Sequence, residues 1–439
     1  MKTTRATALA ALSLSLSFTL TACGGGSPDG ADPKASSQGT SSASPPASAA
    51  PRKPIPKAFD NTKGWTAVEK DDQDNQADLG MPTFAPDAGL LLLRQTTGFD
   101  DKQTSHIVAR DAKTGESRWS GKPMPTQTPA NLYVTHKDGK EYAVLVTSGT
   151  EGEDAVNKGT QVTRIATYDT AASKGEQAAP VKETTIPGGA ADVSVPADGG
   201  IAVLSGEDLM AVVDVVSGKV TTHDKKSPAL KSPKPCPQFF GACDDRPWII
   251  GQAKAGLLVQ GEGAFWVAGG WFAEDVAPAG ATPSEGMDMV EPYPSPDGNV
   301  VASWPIKDGM TSDEIWAVHD GSTGKVLATV TCKKQSNTEV TPFRSPDGRY
   351  LVADLAVFDL KAKRGHCTDE TDDRARIEVK AVDSDGTAYG EAPGTAPVSF
   401  SLATGKAAEL PEGTMLPDMI GADAAVFSTE DGVLVYPRR

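Results

Sequence analysis

From residue 64 to the end, the chain reads as short apolar runs broken repeatedly by turn residues. Leu90–Leu93, Ile201–Leu204, Val300–Trp304, Tyr350–Ala353 and Ala425–Ser428 are four or five residues long, and each follows a turn bearing Asp or Gly. Runs of that length, entered from such turns, predict strands of a sheet core; helices need longer periodic segments. The turn itself recurs eight times: Ala85–Gly89, Lys137–Gly139, Pro196–Gly199, a degenerate Lys254–Gly256, Ser295–Gly298, Ser345–Gly348, Asp383–Gly386 and Gly421–Asp423. Asp-Gly suits a tight hairpin because Gly takes the positive φ and Asp tolerates it. A second turn alternates with the first at Asp111–Gly115, Asp214–Gly218, Asp320–Gly324 and Ser401–Gly405, with weaker counterparts near Asp169, Gly269 and Asp359.

Two alternating hairpins define a unit of about four strands repeating every 40–60 residues or so, the signature of propeller blades. The last unit is short of a strand: after Asp423 there is room only for Ala425–Ser428 and Val433–Tyr436. A spare strand, Gly64–Glu69, precedes the first full unit and can complete the last sheet, removing the exposed edges where the ring would otherwise be open. The expected fold is therefore all-β, a single β-propeller of eight blades closed by an N-terminal strand joining the C-terminal blade. Seven blades is the alternative, because the 240–283 unit is degenerate.

Two stretches carry resemblances. Ala109–Trp119 (ARDAKTGESRW) resembles the repeat of quinoprotein-type, PQQ-like propellers, which implies that Trp119 docks one blade on the next. Ser345–Leu351 (SPDGRYL) is similar to the repeat of WD40-like, TolB-type propellers. Later units place Thr222, Ala328 or Leu410 near the position of Trp119, so a uniform tryptophan girdle is not expected. The likeness bears on architecture, since one fold hosts many functions.

Ahead of the repeats, Lys2 and Arg5 open a segment whose residues 6–21 carry no charge and many Leu and Ala, the layout of an export signal. It ends in Leu20-Thr21-Ala22-Cys23-Gly24, which resembles the bacterial lipobox. The resemblance implies cleavage before Cys23 and lipidation of its thiol, and two acyl chains meet the condition for stable anchoring. Residues 24–57 are Gly, Ser, Ala, Pro, Asp and Gln with almost no large apolar side chain; such a segment cannot bury enough surface to offset its ordering entropy. The expected organisation is a signal peptide at 1–22, a lipidated cysteine and flexible tether at 23–57, and a propeller at 58–439.

The net charge is −16, and losing Lys2 and Arg5 with residues 1–22 makes it −18. An acidic surface disfavours phosphate backbones, so nucleic acid is not an expected partner. Of five cysteines, setting Cys23 aside leaves Cys236, Cys243, Cys332 and Cys367. Outside the cytoplasm these can pair. The favoured pairing is Cys236–Cys243 and Cys332–Cys367, among three combinations. A metal site is the competing reading, but no C-x-x-C occurs and only His366 adjoins a cysteine, so neither metal nor cofactor is expected.

Other chemistry is sparse. Gly321–Lys325 falls short of a phosphate loop, having His319 and Val326 where Gly and Ser or Thr are needed, and reads as a hairpin. The histidines at 106, 136, 223, 319 and 366 show no H-x-x-x-H spacing, and each reads as a surface or satisfied residue. The acidic runs Glu69–Asp78 and Asp369–Asp373 lack calcium-loop spacing and read as solvated charge. Phe239, Phe240, Trp248, Phe265, Trp266, Trp271 and Phe272 concentrate in one stretch. Packing between blades accounts for most of them; Phe239, Phe240, Trp266 and Trp271 are the candidates for a binding surface. The polar segments 97–107 and 148–160 are candidate rim loops.

These features point to a lipid-anchored, extracytoplasmic propeller that acts as a non-catalytic binding or scaffold module with a protein or small-ligand partner in the envelope. The alternative is an extracellular propeller enzyme, quinoprotein-like or glycan-acting, with its site on the central axis. The anchor is tested by metabolic labelling with a lipid precursor: Cys23→Ser should abolish incorporation, and undiminished labelling of that variant would end the lipoprotein reading.

Overall fold

A computed structural model describes residues 47–439, apart from 69–70, 73–74, 77, 99–101, 154–155, 207–208, 235–246, 262, 286–287, 309–312, 334–339, 395 and 431. The chain is an eight-bladed β-propeller, as the repeat predicts. Blade 1 is built on Thr83–Ala85, Leu90–Thr97, Thr104–Asp111 and Ser117–Gly121; blade 2 on Asn131–Lys137, Lys140–Glu153, Lys158–Asp169 and Lys182–Pro187. Blade 3 follows with Asp192–Ser194, Ile201–Ser205, Met210–Asp214 and Val220–Thr222. Blades 5, 6 and 7 repeat the pattern from Glu291 to Lys333, Phe343 to Cys367 and Glu378 to Glu409.

The degenerate unit folds too, which decides between seven blades and eight. Blade 4 has three strands, Trp248–Ala253, Gly256–Gly261 and Ala264–Val267, and its fourth place is taken by a single bridge from Trp266 to Phe272 before a one-turn helix, Ala273–Val276. Blade 8 combines Met419–Ile420, Ala424–Thr429 and Gly432–Pro437 with the N-terminal strand Trp65–Val68, in register Trp65 to Val435 and Val68 to Gly432. Ser48–Ala49 adds a fifth strand outside it. The boundary expected at 57/58 therefore moves upstream: residues 47–57 lie against the propeller. The Met415 N–H donates to the Pro54 carbonyl (2.9 Å), and Asn61 Nδ2 donates to the Lys53 carbonyl (2.8 Å). Pro51, Pro54 and Ile55 give this segment backbone acceptors and apolar surface that its Ser/Ala/Pro composition conceals. Cys23 and residues 1–46 lie outside the described residues.

The apolar runs are continuous because each blade is covered on both faces. Successive side chains of a strand point to opposite faces. Accordingly Leu90 and Leu92 pack toward blade 2 with Ala143 and Leu145, whereas Leu91 and Leu93 pack toward blade 8 with Val426 and Val435. One apolar cluster fills each of the eight junctions between neighbouring blades.

Tryptophans lock three of these junctions by the same geometry. Trp119, on the outer strand of blade 1, donates its indole N–H to the Thr170 carbonyl in the last turn of blade 2 (3.3 Å). Trp65 does so from blade 8 to Ala112 of blade 1 (3.1 Å), and Trp271 from blade 4 to Gly321 of blade 5 (3.4 Å). Each ring lies over a recurring turn in which an aspartate organises the backbone: Asp111 Oδ1 accepts from the N–H groups of Lys113 and Thr114 (3.1 and 3.0 Å), and Asp320 Oδ1 does the same for Ser322 and Thr323 (3.2 and 2.9 Å). Gly115 closes that turn at φ 72° directly beneath Trp65, where an added Cβ would come within 2.6 Å of the ring. Both the backbone and the close approach require glycine there.

The Cys332–Cys367 disulfide forms (S–S 2.02 Å, Cα–Cα 5.3 Å), joining the outer strands of blades 5 and 6. Cys236 and Cys243 lie outside the described residues. Trp65→Ala should remove both a buried ring and a docking hydrogen bond at the ring-closing junction, destabilising the fold by about 3–5 kcal/mol; urea unfolding followed by far-ultraviolet circular dichroism measures it.

Candidate functional site

The strand order divides the ring into two ends. In each up-and-down sheet the first–second and third–fourth turns share one end, and the second–third turns and blade-to-blade connections share the other. The first end is made of short Asp/Gly turns; the second holds the longer connections, among them 222–234 and 273–285.

Neither tryptophan proposed for a binding surface is on a surface. Trp266 is fully buried between blades 3 and 4, beside Phe272, and Trp271 docks blade 4 on blade 5 as described. Apolar runs around both place them on blade faces, and those faces are covered. Phe239 and Phe240 lie outside the described residues. Among the described aromatics of that stretch, the one that reaches solvent is Trp248, 44% exposed at the start of blade 4's inner strand, on the connection end. The segment 148–160, expected as a rim loop, is instead largely an extension of the blade 2 hairpin, paired out to Glu153 with Lys158. Gly321–Lys325 is the last turn of blade 5, as its hairpin reading requires. Asp369, from the second acidic run, pairs with Lys333 across the blade 5–6 junction (3.4 Å).

On the turn end, three groups that sequence spacing does not connect come together. His136 and Glu141 are cross-strand partners at the first hairpin of blade 2, so their side chains share a face. Asp87 reaches them from the first turn of blade 1. Its Oδ2 lies 3.2 Å from His136 Nε2, and Glu141 Oε1 lies 3.6 Å from the same nitrogen. Glu141 is buried. It accepts the N–H groups of Asp87 (3.1 Å) and Ala88 (3.3 Å) and the hydroxyl of Thr170 (2.9 Å), so it ties blade 2 to the turn of blade 1. The other edge of the imidazole faces blade 3: Nδ1 is 3.0 Å from the Ala197 carbonyl, and Asp198 Oδ1 is 3.8 Å away. A carbonyl can only accept, so Nδ1 carries its hydrogen and Nε2 is the atom presented to the carboxylates. The sole sequence signal for this group is a histidine two residues before the Asp138-Gly139 turn; Asp87 is 49 residues upstream of it.

The remaining histidines are structural or partly screened. Burial lowers the pKa of His106, His223 and His366. His319 is fully buried between Trp271 and Trp304; Trp304 Nε1 donates to its Nε2 (3.2 Å), and its Nδ1 donates to the Gly324 carbonyl (2.9 Å). That arrangement needs a neutral ring, and burial pushes the His319 pKa down to about 4, against the smaller opposing effect of the Gly324 carbonyl.

No family model and no curated protein matches the chain. Among solved structures it is similar to "KlHsv2 with loop 6CD replaced by a Gly-Ser linker", at 13% identity and a TM-score of 0.37 over 76% of this chain and 98% of that one. It is also similar to the Cps50 (Swd1) β-propeller domain of Myceliophteria thermophila, at 10% identity and a TM-score of 0.38 over 82% of this chain and 97% of that one.

The His319 environment has a pH consequence. A histidine held neutral in the fold binds fewer protons there than in the unfolded chain, so its contribution is complete above the unfolded value of about 6.5 and is lost as pH falls toward the folded value near 4. Stability should drop by about 3 kcal/mol across that window from this residue. Urea melts between neutral and acid pH should show the slope flattened in His319→Gln.

Proposed function

We propose that the chain is a membrane-anchored extracytoplasmic lipoprotein whose propeller is a non-catalytic binding or scaffold module. The observation that carries this reading is the division of labour among the cysteines. Cys332 and Cys367 are consumed in a disulfide between blades, a bond that persists in oxidising compartments and is rare in reducing ones. Cys23 stands apart behind an export-like leader, in a Leu-Thr-Ala-Cys context. The sequence between Cys23 and Ala47, the first described residue, is polar and rich in Gly, Ser, Ala and Pro, the composition of a tether.

Recognition is assigned to the connection end, where loops vary without disturbing blade packing and where Trp248 is exposed. A half-exposed tryptophan supplies the kind of rigid anchor on which binding hot spots are built. The partner is a protein or small ligand of the envelope.

The test is a pull-down from cross-linked envelopes with the full chain tagged at its C-terminus. One partner should be recovered by the wild type and recovered at least about tenfold less by Trp248→Ala. Recovery of no protein partner, with binding of a sugar or a quinone cofactor instead, would turn the assignment to a propeller enzyme.

A further inference from the structure

We propose that Asp87, His136 and Glu141 form a binding site for a divalent transition-metal cation of the zinc class on the turn end of the ring. The proposal is independent of the anchor and of the partner assigned to the other end.

The first argument is distance. Zinc bonds to imidazole nitrogen and carboxylate oxygen are about 2.0–2.2 Å long, so neighbouring ligand atoms of a tetrahedral site are separated by roughly 3.3–3.6 Å. His136 Nε2 is 3.2 Å from Asp87 Oδ2 and 3.6 Å from Glu141 Oε1. All three ligand atoms lie within 4.8 Å of one another. Two of the three separations match those around one bound ion, and adjustment of the third falls to Asp87, which is exposed on its turn.

The second argument is the orientation of the imidazole, fixed from outside the cluster. A ligating histidine usually directs its other N–H at a carbonyl or carboxylate, which sets the tautomer and aims the free lone pair at the metal. Here Ala197, on the first turn of blade 3, supplies that carbonyl at 3.0 Å from Nδ1. The backbone holds the same alignment: the His136 N–H donates to the Ala197 carbonyl (2.6 Å), and the Gly199 N–H donates to the His136 carbonyl (2.8 Å). Asp198 sits on the Nδ1 edge at 3.8 Å and so belongs to the outer surroundings rather than the ligand set.

The third argument is charge. The Glu141 side chain is only 2% exposed, and among the described residues the one basic group within ion-pair distance of it is His136. Its hydrogen-bond donors, Asp87 N–H, Ala88 N–H and the Thr170 hydroxyl, are neutral. Two carboxylates face one imidazole, so even a protonated His136 balances only one of the two negative charges. A divalent cation balances both acids at once.

The ligand set also selects the metal. One imidazole with two carboxylates and no thiolate suits zinc and its first-row neighbours; calcium and magnesium favour all-oxygen sites. Three protein ligands leave a fourth position for water or for a donor atom of a bound molecule. Because the ligands come from blades 1 and 2 and the orienting carbonyl from blade 3, the ion would pin three adjacent turns.

The test uses the full chain stripped with a chelator and titrated with zinc chloride, with magnesium and calcium chloride as comparisons. Zinc should bind at one equivalent and raise the melting temperature, and cobalt(II) in its place should show the visible absorption of a low-coordinate nitrogen–oxygen site. Asp87→Asn, a near-isosteric change at an exposed turn position, should weaken zinc binding more than about tenfold, and His136→Gln should do the same. Failure of the wild type to bind zinc, or retention of full affinity by either variant, overturns the proposal. Zinc binding that survives in Asp87→Asn would place the ion on surface acids elsewhere.

Discussion

The antiparallel pairing of Trp65–Val68 with Gly432–Pro437 is the constraint on which the other seven blades depend. It joins positions 367 residues apart, as between Thr66 and Val433, and so it forms only after the loop entropy of almost the whole chain has been overcome. Until it forms, blade 8 has a bare edge and the cluster around Leu91 and Leu93 of blade 1 lacks Trp65 and Ala67. The same segment brings the indole of Trp65 onto the last turn of blade 1, so the hydrogen-bonded closure and the apolar closure are one event. Residues 47–63 then reinforce it: Phe59 is buried against Tyr389 and Phe427, and the Asp60 N–H donates to the Pro437 carbonyl (2.8 Å).

With the ring closed, each blade has two neighbours, and every junction must be filled by side chains that the strands supply alternately. That is why Leu90 to Leu93 is unbroken leucine: a blade has no solvent face in its middle strands. The junctions are not secured alike. Blades 8–1, 1–2 and 4–5 use an indole over the neighbouring turn. At the blade 5–6 junction the outer strand carries Ala328 near the docking-tryptophan position, and there the Cys332–Cys367 bridge holds the outer strands together. A covalent link at that place restricts the unfolded chain, a contribution of about 2–4 kcal/mol that does not depend on how well the outer strands pack.

Much of this architecture was legible in the sequence because it is local and repeated. The Asp/Gly turns marked the hairpins, the apolar runs marked the middle strands, and the missing final strand after Asp423 pointed to the spare one at Gly64. Trp119 was readable as a docking residue from the resemblance of Ala109–Trp119 to a quinoprotein-type repeat. Trp271 was not, since blade 4 has no regular fourth strand and the residue follows a Gly-Gly pair. Buried and exposed tryptophans look the same in a sequence, so Trp266 and Trp271 were candidates for a surface, whereas Trp248 is the described tryptophan of that stretch that reaches solvent. The attachment of residues 47–57 was hidden for a related reason: its hydrogen bonds use backbone carbonyls of Lys53 and Pro54, and backbone carbonyls carry no residue signature.

The His136 cluster was invisible for a topological reason. Its side-chain atoms meet only because the first hairpins of blades 1, 2 and 3 converge on one end of the ring, and that convergence is a property of blade packing rather than of any segment. The same geometry explains why the two ends suit different tasks. Short turns held by aspartates and glycines keep His136, Glu141 and Ala197 in fixed relation, and fixed relation is what a small cation demands of its ligands. The connection end, with segments such as 222–234, can vary in length and side chain while the blade cores stay unchanged. The propeller therefore combines a turn end of fixed geometry with a connection end free to vary, where Trp248 is exposed.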